Sequence, residues 1–322
     1  MKRLWITWER HRRTREFASA IPGMTLYELI LDQAPRFVRY PYLLFKTVLT
    51  LLREFPALVI VQNPSVVLAL FTTALGKLLR FRVVVDAHNE GIAPFYSSHN
   101  CLLPIYALIQ RWAVLTVVTN SQLANVVRKN KGHAFVLEDM LPRIWNAETL
   151  KLVGESNVVY VCTFEKDEPY VEVIKSAEFV TPGICIYITG RYQKISPDIL
   201  HRAPPNVIFT GFLPDRDFIN LLYSCDAVID LTYMANCLVC GAYEAVALGK
   251  PVILSDTKTL RNYFSRGAVY TENRSRQIAA AISLVVDTKE MLTQEINLLR
   301  NELESDWNTK FSQFLSFLDT LR

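Results

Sequence analysis

Short apolar runs alternate with stretches of helical periodicity along the first half of the chain. Runs rich in Val, Ile, Leu and aromatic residues predict strands, at residues 4–8, 24–31, 57–62, 82–86, 115–119 and 135–137. Apolar residues at helical spacing predict helices between most of them, at residues 12–20, 65–79, 103–112 and 122–129. Apolar strands separated by helices are typical of a parallel sheet that is covered on both faces.

The second half repeats this pattern. Strands are predicted at residues 158–162, 184–189, 207–210, 227–231 and 252–254, and helices at 170–177, 215–224, shortly after 257, at 275–286 and, as terminal helices, from about 289 to 321. A connection at residues 142–154 separates the halves. The fold class is therefore predicted to be α/β with two Rossmann-like, doubly wound parallel sheets.

The segment 236–256, NCLVCGAYEAVALGKPVILSD, predicts a polar loop, a helix and a buried strand. Gly249 stands where a helix C-terminus is expected, and Pro251 prevents the helix from continuing. Glu244 lies near the helix start, where a carboxylate suits ribose hydroxyls and the helix N-terminus suits an anion. The alternative is an ordinary strand–helix–strand crossover without a ligand.

Ligands of doubly wound sheets bind beyond the carboxyl ends of the strands, which makes the residues just after each strand informative. Glu9 follows the first predicted strand, and Asp86, His88 and Glu90 follow the fourth. A histidine with adjacent carboxylates suits proton transfer near neutral pH. The alternative is structural: Asp86 binds loop amides and His88 is a satisfied framework residue.

Composition narrows the classes of function. The 322 residues are 51% hydrophobic and 20% charged, which is a globular composition. The first 150 residues carry 18 Lys and Arg against 10 Asp and Glu, whereas the remainder carries 17 against 21. The basic half favours a phosphate-bearing partner or an anionic membrane surface, and no motif favours nucleic acid. Neither a signal peptide nor a membrane-spanning run of about 18 apolar residues is predicted.

Two further features keep alternatives open. Cys237 and Cys240 form a single CxxC, which is a weak zinc or redox signal and is explained equally well by packing in reduced thiol form. Residues 35–56, PRFVRYPYLLFKTVLTLLREFP, mix cations with aromatic and apolar residues. They predict either an interfacial membrane helix or a core-packing helix with solvated charges.

Several motifs resemble those of GT-B glycosyltransferases. VQNP and VVVDAHNEG are similar to elements of the Alg1-like β-mannosyltransferases, which extend a polyprenyl-diphosphate-linked sugar, and YVCTFEKDEP, IYITG and Asp306-Trp307 resemble later motifs of that family. The segment 236–256 resembles the nucleotide-sugar helix of family-4 enzymes. Asn236 replaces the first of the two Glu residues in that pattern, and this replacement favours inversion over retention.

The resemblance implies a fold and an organisation. Two Rossmann-like domains would face each other across a cleft, with an acceptor- and membrane-facing domain at residues 1–148 and a nucleotide-sugar domain at 149–305. A terminal helix at 306–322 would cross back to the first domain. The acceptor hydroxyl would lie near His88, and its proton would go to Asp86, His88, Glu90 or Glu9.

The resemblance also implies roles for individual residues. The predicted donor-binding residues are Gly211, Phe212, Asn236, Cys237, Leu238, Val239, Glu244, Arg191 and Lys166. The predicted acceptor- or membrane-binding residues are Arg10, Arg12, Arg13, Arg36, Arg39, Phe45 and Lys46. No metal and no cofactor is expected besides the nucleotide-sugar substrate.

The function that follows is transfer of a hexose-type sugar from a GDP- or UDP-sugar to a lipid-linked or glycan acceptor in polysaccharide biosynthesis. The enzyme is expected in the cytoplasm, peripherally bound to the cytoplasmic face of the membrane. The alternatives are a retaining family-4 enzyme, a non-catalytic GT-B module and a sugar-nucleotide epimerase. A dinucleotide oxidoreductase is disfavoured because no GxGxxG follows the first strand.

Overall fold

The computed structural model describes residues 2–63, 65–92 and 97–321, which form two compact units. The first unit comprises Met1–Met140 and Trp307–Arg322, and the second comprises Leu141–Asp306. The first unit ends eight residues before the boundary proposed from the sequence at 148/149. Each unit contains one parallel sheet of six strands, which confirms the predicted α/β fold class.

The first sheet has the strand order β2-β1-β3-β4-β5-β6. Its strands are β1 (Arg3–Thr7), β2 (Met24–Glu28), β3 (Leu58–Asn63), β4 (Arg82–Ala87), β5 (Leu115–Val118) and β6 (Ala134–Val136). Its helices are α1 (Arg12–Ala20), α2 (Arg36–Glu54), α3 (Val66–Leu79), α4 (Leu103–Trp112) and α5 (Ser121–Lys129). The chain reverses its direction of winding between β1 and β3, and such a switch point is where doubly wound sheets bind ligands.

The second sheet has the order β12-β11-β10-β7-β8-β9, with its switch point between β7 and β10. Its strands are β7 (Ser156–Tyr160), β8 (Ile184–Thr189), β9 (Val207–Gly211), β10 (Ala227–Asp230), β11 (Val252–Ser255) and β12 (Ala268–Thr271). Its helices are α6 (Tyr170–Ser176), α7 (Pro197–His201), α8 (Asp215–Ser224), α9 (Cys240–Ala247), α10 (Lys258–Tyr263) and α11 (Ser275–Asp287). Gly249 follows α9 with φ +70°, the left-handed conformation expected after a helix.

One long helix, α12 (Lys289–Thr320), replaces the separate terminal helices suggested by the sequence. It begins in the second unit and ends in the first. In the first unit, Trp307 and Phe314 of this helix pack against the same core as Trp5 and Phe17. The Trp307 Nε1–H donates to the Glu138 carbonyl at 3.1 Å. Among the described residues, no helix is long and apolar enough to cross a membrane.

Candidate functional site

The switch point of the first sheet is held together by a threonine at the end of β1. The Thr7 hydroxyl donates to Gln62 Oε1 on β3 at 2.8 Å, and it accepts from the Glu9 backbone N–H at 3.1 Å. These bonds turn the chain after β1. Glu9 and Arg10 are exposed just beyond the turn.

A buried ion-pair network lies beside this turn. Arg13 donates to both oxygens of Asp86 at 3.0–3.2 Å and to Asp139 at 2.6 Å, and its Nη2 also donates to the Leu137 carbonyl at 2.9 Å. Burial by itself would lower the pKa of Arg13, but the charges of Asp86 and Asp139 and the hydrogen bonds to them raise it above the ordinary value. Arg13 and Asp86 are 3% and 2% exposed.

This network argues against two predicted roles. Arg13 is buried with its donors engaged, so it is not placed to hold an acceptor phosphate. Asp86 is buried and both of its carboxylate oxygens accept from Arg13, so it is not placed to take a proton from an acceptor hydroxyl. The sequence did not reveal the burial because Arg13 lies on a short basic helix whose charges look solvated. Asp139 was missed because it lies 53 residues beyond Asp86 in the chain, after β6.

Two imidazoles lie above the network. The rings of His11 and His88 are 4.6 Å apart between centroids. Burial lowers the pKa of His88 to about 4, with added repulsion from Arg13 and His11 and partial opposition from Asp86 and Asp139. In the part of the chain that the structure describes, no group donates to or accepts from His88 Nε2 or His11 Nδ1. The lowered pKa favours the neutral form of His88 at pH 7, and its Nε2 is a buried polar atom without a partner among the described residues.

Two amides border the imidazoles. The Asn63 side chain donates to the Gly91 carbonyl at 3.1 Å, and the His88 N–H donates to the Asn63 carbonyl at 2.8 Å. Gly91 permits this approach, since a Cβ there would lie 2.6 Å from Asn63 Cγ. The side-chain oxygens of Asn63 and Asn89 are buried and have no partner within the described ranges. We call His11, Asn63, His88 and Asn89 the histidine site.

Two other predicted residues of the first unit, Glu90 and Arg12, are not among the four side chains of the histidine site. Glu90 lies in the short turn Asn89–Gly91. Arg12 is exposed and pairs with Glu16 at 2.8 Å. Sequence reasoning pointed to the loops that hold His11 and Asn63, but it assigned neither residue a role. Pro64 of the VQNP motif lies outside the described residues.

Helix α2 carries the predicted membrane segment. Only Leu43, Thr47 and Leu51 are buried on this 19-residue helix, and Thr47 Oγ1 accepts from Trp8 Nε1 at 3.1 Å. The opposite side is unusually apolar for a surface. We define the α2 outer face as its most exposed large apolar residues, Phe37, Val38, Tyr42, Phe45, Leu49 and Leu52.

Cations accompany the α2 outer face. Arg36 is exposed at the start of the helix, and Arg39 approaches Asp32 to only 4.0 Å. Lys46 lies over the Tyr42 ring, 5.6 Å from its centroid. The helix therefore presents apolar and basic side chains together.

In the second unit, the loop after β7 is closed by one carboxylate. Glu168 accepts from the Thr163 and Glu165 amides at 2.9–3.1 Å and from the Thr163 hydroxyl at 3.0 Å. The loop also touches the turn after β8, because Gly190 has φ +93° and a Cβ there would lie 2.1 Å from the Cys162 carbonyl oxygen. Lys166, a predicted donor ligand, is exposed in this ordered loop.

Asp230 ends β10 beneath the start of α9. Burial raises the pKa of Asp230, and the charges of Glu168 and Glu244 raise it further, whereas hydrogen bonds from the Gly241 and Ala242 amides oppose the shift. A Cβ at Gly241 would lie 2.7 Å from Asp230 Oδ2, so the close approach requires glycine. The N-terminus of α9, which was predicted to bind an anion, thus already has two of its amides, those of Gly241 and Ala242, bound to a carboxylate. The raised pKa favours the neutral form of that carboxylate.

The loop before α9 is fixed to its neighbours. The Thr232 N–H donates to Ser255 Oγ at 2.9 Å, its carbonyl accepts from Asn273 Nδ2 at 2.9 Å, and the Tyr233 N–H donates to the Asp167 carbonyl at 2.7 Å. The predicted donor-loop residues differ in exposure. Asn236 and Cys237 are half-buried, whereas Leu238 and Val239 are buried in the core and could meet a ligand through their backbone only.

An exposed aromatic ring follows β9. Phe212 is 69% exposed, and the Arg191 guanidinium lies 5.2 Å from its ring centroid. Gly211, with φ +75°, turns the chain between β9 and this ring. The structure therefore brings together Arg191, Gly211 and Phe212, while Glu244 lies half-buried on α9 near Asp230. Across the residues that the structure covers, no group of three or more His, Cys, Asp or Glu side chains is arranged to hold a metal.

Comparison with known proteins agrees with this architecture. Residues 144–298 match the family model described as glycosyl transferases group 1. HepE from Anabaena in complex with UDP-glucose superposes with a TM-score of 0.73 at 14% identity, covering 98% of this chain and 99% of HepE. HepE has also been solved with UDP, at a TM-score of 0.72 and 14% identity, covering 99% and 100% of the two chains.

Sucrose-phosphate synthase from Thermosynechococcus elongatus superposes with a TM-score of 0.74 at 14% identity, covering 100% of this chain and 99% of that one. No curated protein sequence matches significantly. At such identities the structural likeness establishes the fold, and the family match covers most of the second unit. The chain thus has the GT-B fold, and its residues 144–298 are similar to the glycosyl transferases group 1 family.

Proposed function

We propose that this protein transfers a hexose-type sugar from a UDP- or GDP-sugar to a lipid-linked or glycan acceptor with inversion of configuration. The group 1 domain and the GT-B fold support nucleotide-sugar chemistry, and HepE is a structural neighbour solved with UDP-glucose. The observation that carries the proposal is the histidine site, where a neutral imidazole with a buried ring nitrogen that has no partner among the described residues lies at the switch point of the first sheet. Polysaccharide or glycan assembly is the proposed setting.

The donor is assigned to the second unit. The Phe212 ring offers a face for the nucleotide base, and stacking on an exposed aromatic side chain is worth about 1–3 kcal/mol. Glu244 is assigned to the ribose hydroxyls. Arg191, Lys166 and the start of α9 are assigned to the diphosphate, whose approach is compatible with a neutral Asp230.

The acceptor is assigned to the histidine site. The two imidazoles and two amides of this site present lone pairs and N–H groups that suit the hydroxyls of a sugar ring. His88 Nε2 would take the proton of the attacking hydroxyl as its oxygen bonds to the anomeric carbon and the bond to the nucleoside diphosphate breaks. Glu9 and Glu90 remain candidate bases nearby. No metal or cofactor is assigned a role in this scheme.

A thermal-shift screen against UDP, GDP and their sugar conjugates tests the donor assignment. A ligand that binds only the folded state raises the melting temperature with its occupancy. We expect a selective shift with one nucleotide, and a smaller shift for Glu244→Ala, because the ribose loses a hydrogen-bond partner. An equal shift in this variant would remove Glu244 from the site.

A product assay separates transfer from its alternatives. Incubating the responsive nucleotide sugar with lipid-linked acceptors should consume donor only when acceptor is present. Donor binding without turnover on any acceptor would indicate a non-catalytic module. Release of an epimerised sugar without acceptor would indicate an epimerase. The anomeric configuration of the product, compared with that of the donor, would decide between inversion and retention.

We also propose that α2 binds an anionic membrane surface through its outer face. Large apolar residues interspersed with Arg36, Arg39 and Lys46 are the composition of an interfacial helix. A double variant, Phe45→Glu with Leu49→Glu, should abolish co-flotation with anionic liposomes. Retained flotation of this variant would refute the assignment to α2.

A further inference from the structure

A basic cavity lies at the amino-terminal edge of the first sheet, at the opposite end of the strands from the histidine site. Its volume is about 310 Å³. It is formed by the end of α3, the start of β4 and the end of α4, which contributes Trp112. The three charged residues that line it are Lys77, Arg80 and Arg82, and no acidic residue is among its lining.

The positive charge of this cavity is not neutralised by the protein. All three cations are exposed, and none of them has a carboxylate within ion-pair distance among the residues that the structure describes. Lys77 and Arg80 lie at the C-terminus of α3, where a cation complements the helix dipole. Arg82 opens a strand and has no such role. An excess of positive charge therefore faces the cavity, which suits a phosphate group.

Large apolar side chains project beside the cavity. Leu78 is 75% exposed and Leu79 is 49% exposed at the end of α3. Phe55, which is 81% exposed, caps α2 at the neighbouring corner. The two corners adjoin because β3 pairs with β4, with the Arg82 N–H donating to the Ala57 carbonyl at 2.9 Å. A soluble anion would not bury these apolar side chains, whereas a lipid surface would.

The corner also continues the α2 outer face. Leu49 and Leu52 lie on the last turns of α2, and Phe55 follows them with Arg53, which is 87% exposed in its side chain. We propose that the cavity binds the phosphate of an anionic lipid headgroup while Phe55 and Leu78 enter the interface. This makes the corner a second attachment point at the C-terminal end of α2. The inference rests on the proposed membrane association and is independent of glycosyl transfer.

Vesicle co-flotation tests the inference directly. The probes are vesicles of phosphatidylcholine alone and vesicles that also contain phosphatidylglycerol. The test variant carries three charge-removing substitutions in the cavity, Lys77→Gln, Arg80→Gln and Arg82→Gln. Partition onto the anionic vesicles should fall by roughly 100-fold, since each cation near such a surface contributes about a factor of five.

A matched control removes the same charge from exposed cations of the second unit. Its substitutions are Arg143→Gln, Lys151→Gln and Lys258→Gln. Partition of the control should stay close to that of the wild type. An equal loss in both triple variants would show a general effect of net charge and would overturn the inference, as would a cavity variant that keeps wild-type partition.

Further arms separate the lipid from other sources of phosphate. Leu78→Ser should weaken partition onto the anionic vesicles without changing the affinity for inorganic phosphate. Binding of inorganic phosphate by the wild type together with unchanged flotation of Leu78→Ser would instead indicate a site for a soluble anion and would overturn the lipid assignment. The nucleotide-induced thermal shift is measured on the same variants. Its absence from all of them would refute the donor proposal and leave the flotation result standing.

Discussion

The two switch points occupy equivalent places in their sheets but differ in chemistry. The histidine site presents the neutral imidazole of His88, a second imidazole and two amides beside the network of Arg13, Asp86 and Asp139. The second switch point places Glu168 and Asp230 around the start of α9. The first arrangement offers an uncharged proton acceptor, His88. The second combines a helix N-terminus with carboxylates, of which Asp230 is driven towards its neutral form.

This difference indicates how one type of sheet serves two tasks. A group that removes a proton from a sugar hydroxyl must be in its basic form at working pH, and burial keeps His88 in that form by lowering its pKa, against the opposing charge of Asp86. A site for a diphosphate must avoid fixed negative charge. Burial of Asp230 under the α9 amides achieves this without a cation at that position.

The strongest test of the contrast is removal of His88. We expect His88→Ala to reduce kcat by roughly 100- to 10,000-fold, the range for loss of a general base, with donor affinity unchanged. Turnover and nucleotide thermal shifts measure the two quantities. His201→Ala, a substitution at a histidine in the second unit, serves as the control.

The pH profile refines this test. Since burial lowers the pKa of His88 to about 4, the wild-type kcat/KM should remain level on the acid side until the pH approaches that value. An acid limb centred near 6.5 would show that a different or a solvated group acts as the base.

The buried network should dominate stability in the first unit. We expect Arg13→Met to lower the free energy of unfolding by about 3–5 kcal/mol, because the buried Asp86 and the half-buried Asp139 lose their partner. Arg12→Met removes an exposed pair with Glu16 and should cost less than about 1 kcal/mol. Urea unfolding of both variants measures the difference, and equal losses would contradict it.

The exposed ring of Phe212 should affect donor binding alone. Phe212→Ala should weaken nucleotide affinity by about 5- to 100-fold through lost stacking. Phe179 provides a matched control, because the Arg276 guanidinium lies 4.7 Å from its ring centroid, as Arg191 lies near the ring of Phe212. Calorimetric titration should show wild-type affinity for Phe179→Ala. A similar loss in both variants would point to a general effect on the fold.

The smallest expected effect concerns Asp230. Its raised pKa means that the folded protein keeps a proton that the unfolded chain releases above about pH 4. The group therefore stabilises the fold fully at lower pH, and this contribution is lost as the pH rises towards the folded-state pKa. Asp230→Asn should gain about 1 kcal/mol relative to wild type at pH 8 and less at pH 5. Melting curves at both pH values would show the trend, and a larger gain at pH 5 would contradict it.

Much of the fold could be predicted because apolar strands have a clear periodic signal. The strand Ala268–Thr271 was missed, since four residues with little alternation give no such signal. The terminal helices proved continuous because nothing between Lys289 and Thr320 interrupts helical spacing. The expectation that ligands bind beyond strand ends pointed to His88, but no local pattern shows that His11 comes to lie against it.

The chemistry of buried charge was harder to predict. Asp230 ends the apolar run AVID and could have been found by asking which strand ends at the second switch point. The partners of Arg13 come from the ends of two other strands, so only the tertiary structure joins them. A charged residue on an amphipathic helix is expected to face solvent. This expectation fails for Arg13, because Asp86 and Asp139 lie at the sheet edge and pair with it.

The continuity of α12 has a consequence for the order of events during synthesis. The first unit needs Trp307, Phe311, Phe314 and Leu318 to complete its core, yet these residues are translated only after the whole second unit. At translation rates of about 5–20 residues per second, synthesis of the second unit takes roughly 10–30 seconds, and the core of the first unit stays incomplete for that time. During that interval the aromatic surface around Trp5 and Phe17 is uncovered, so newly made chains are expected to depend on chaperones until the last helix has docked.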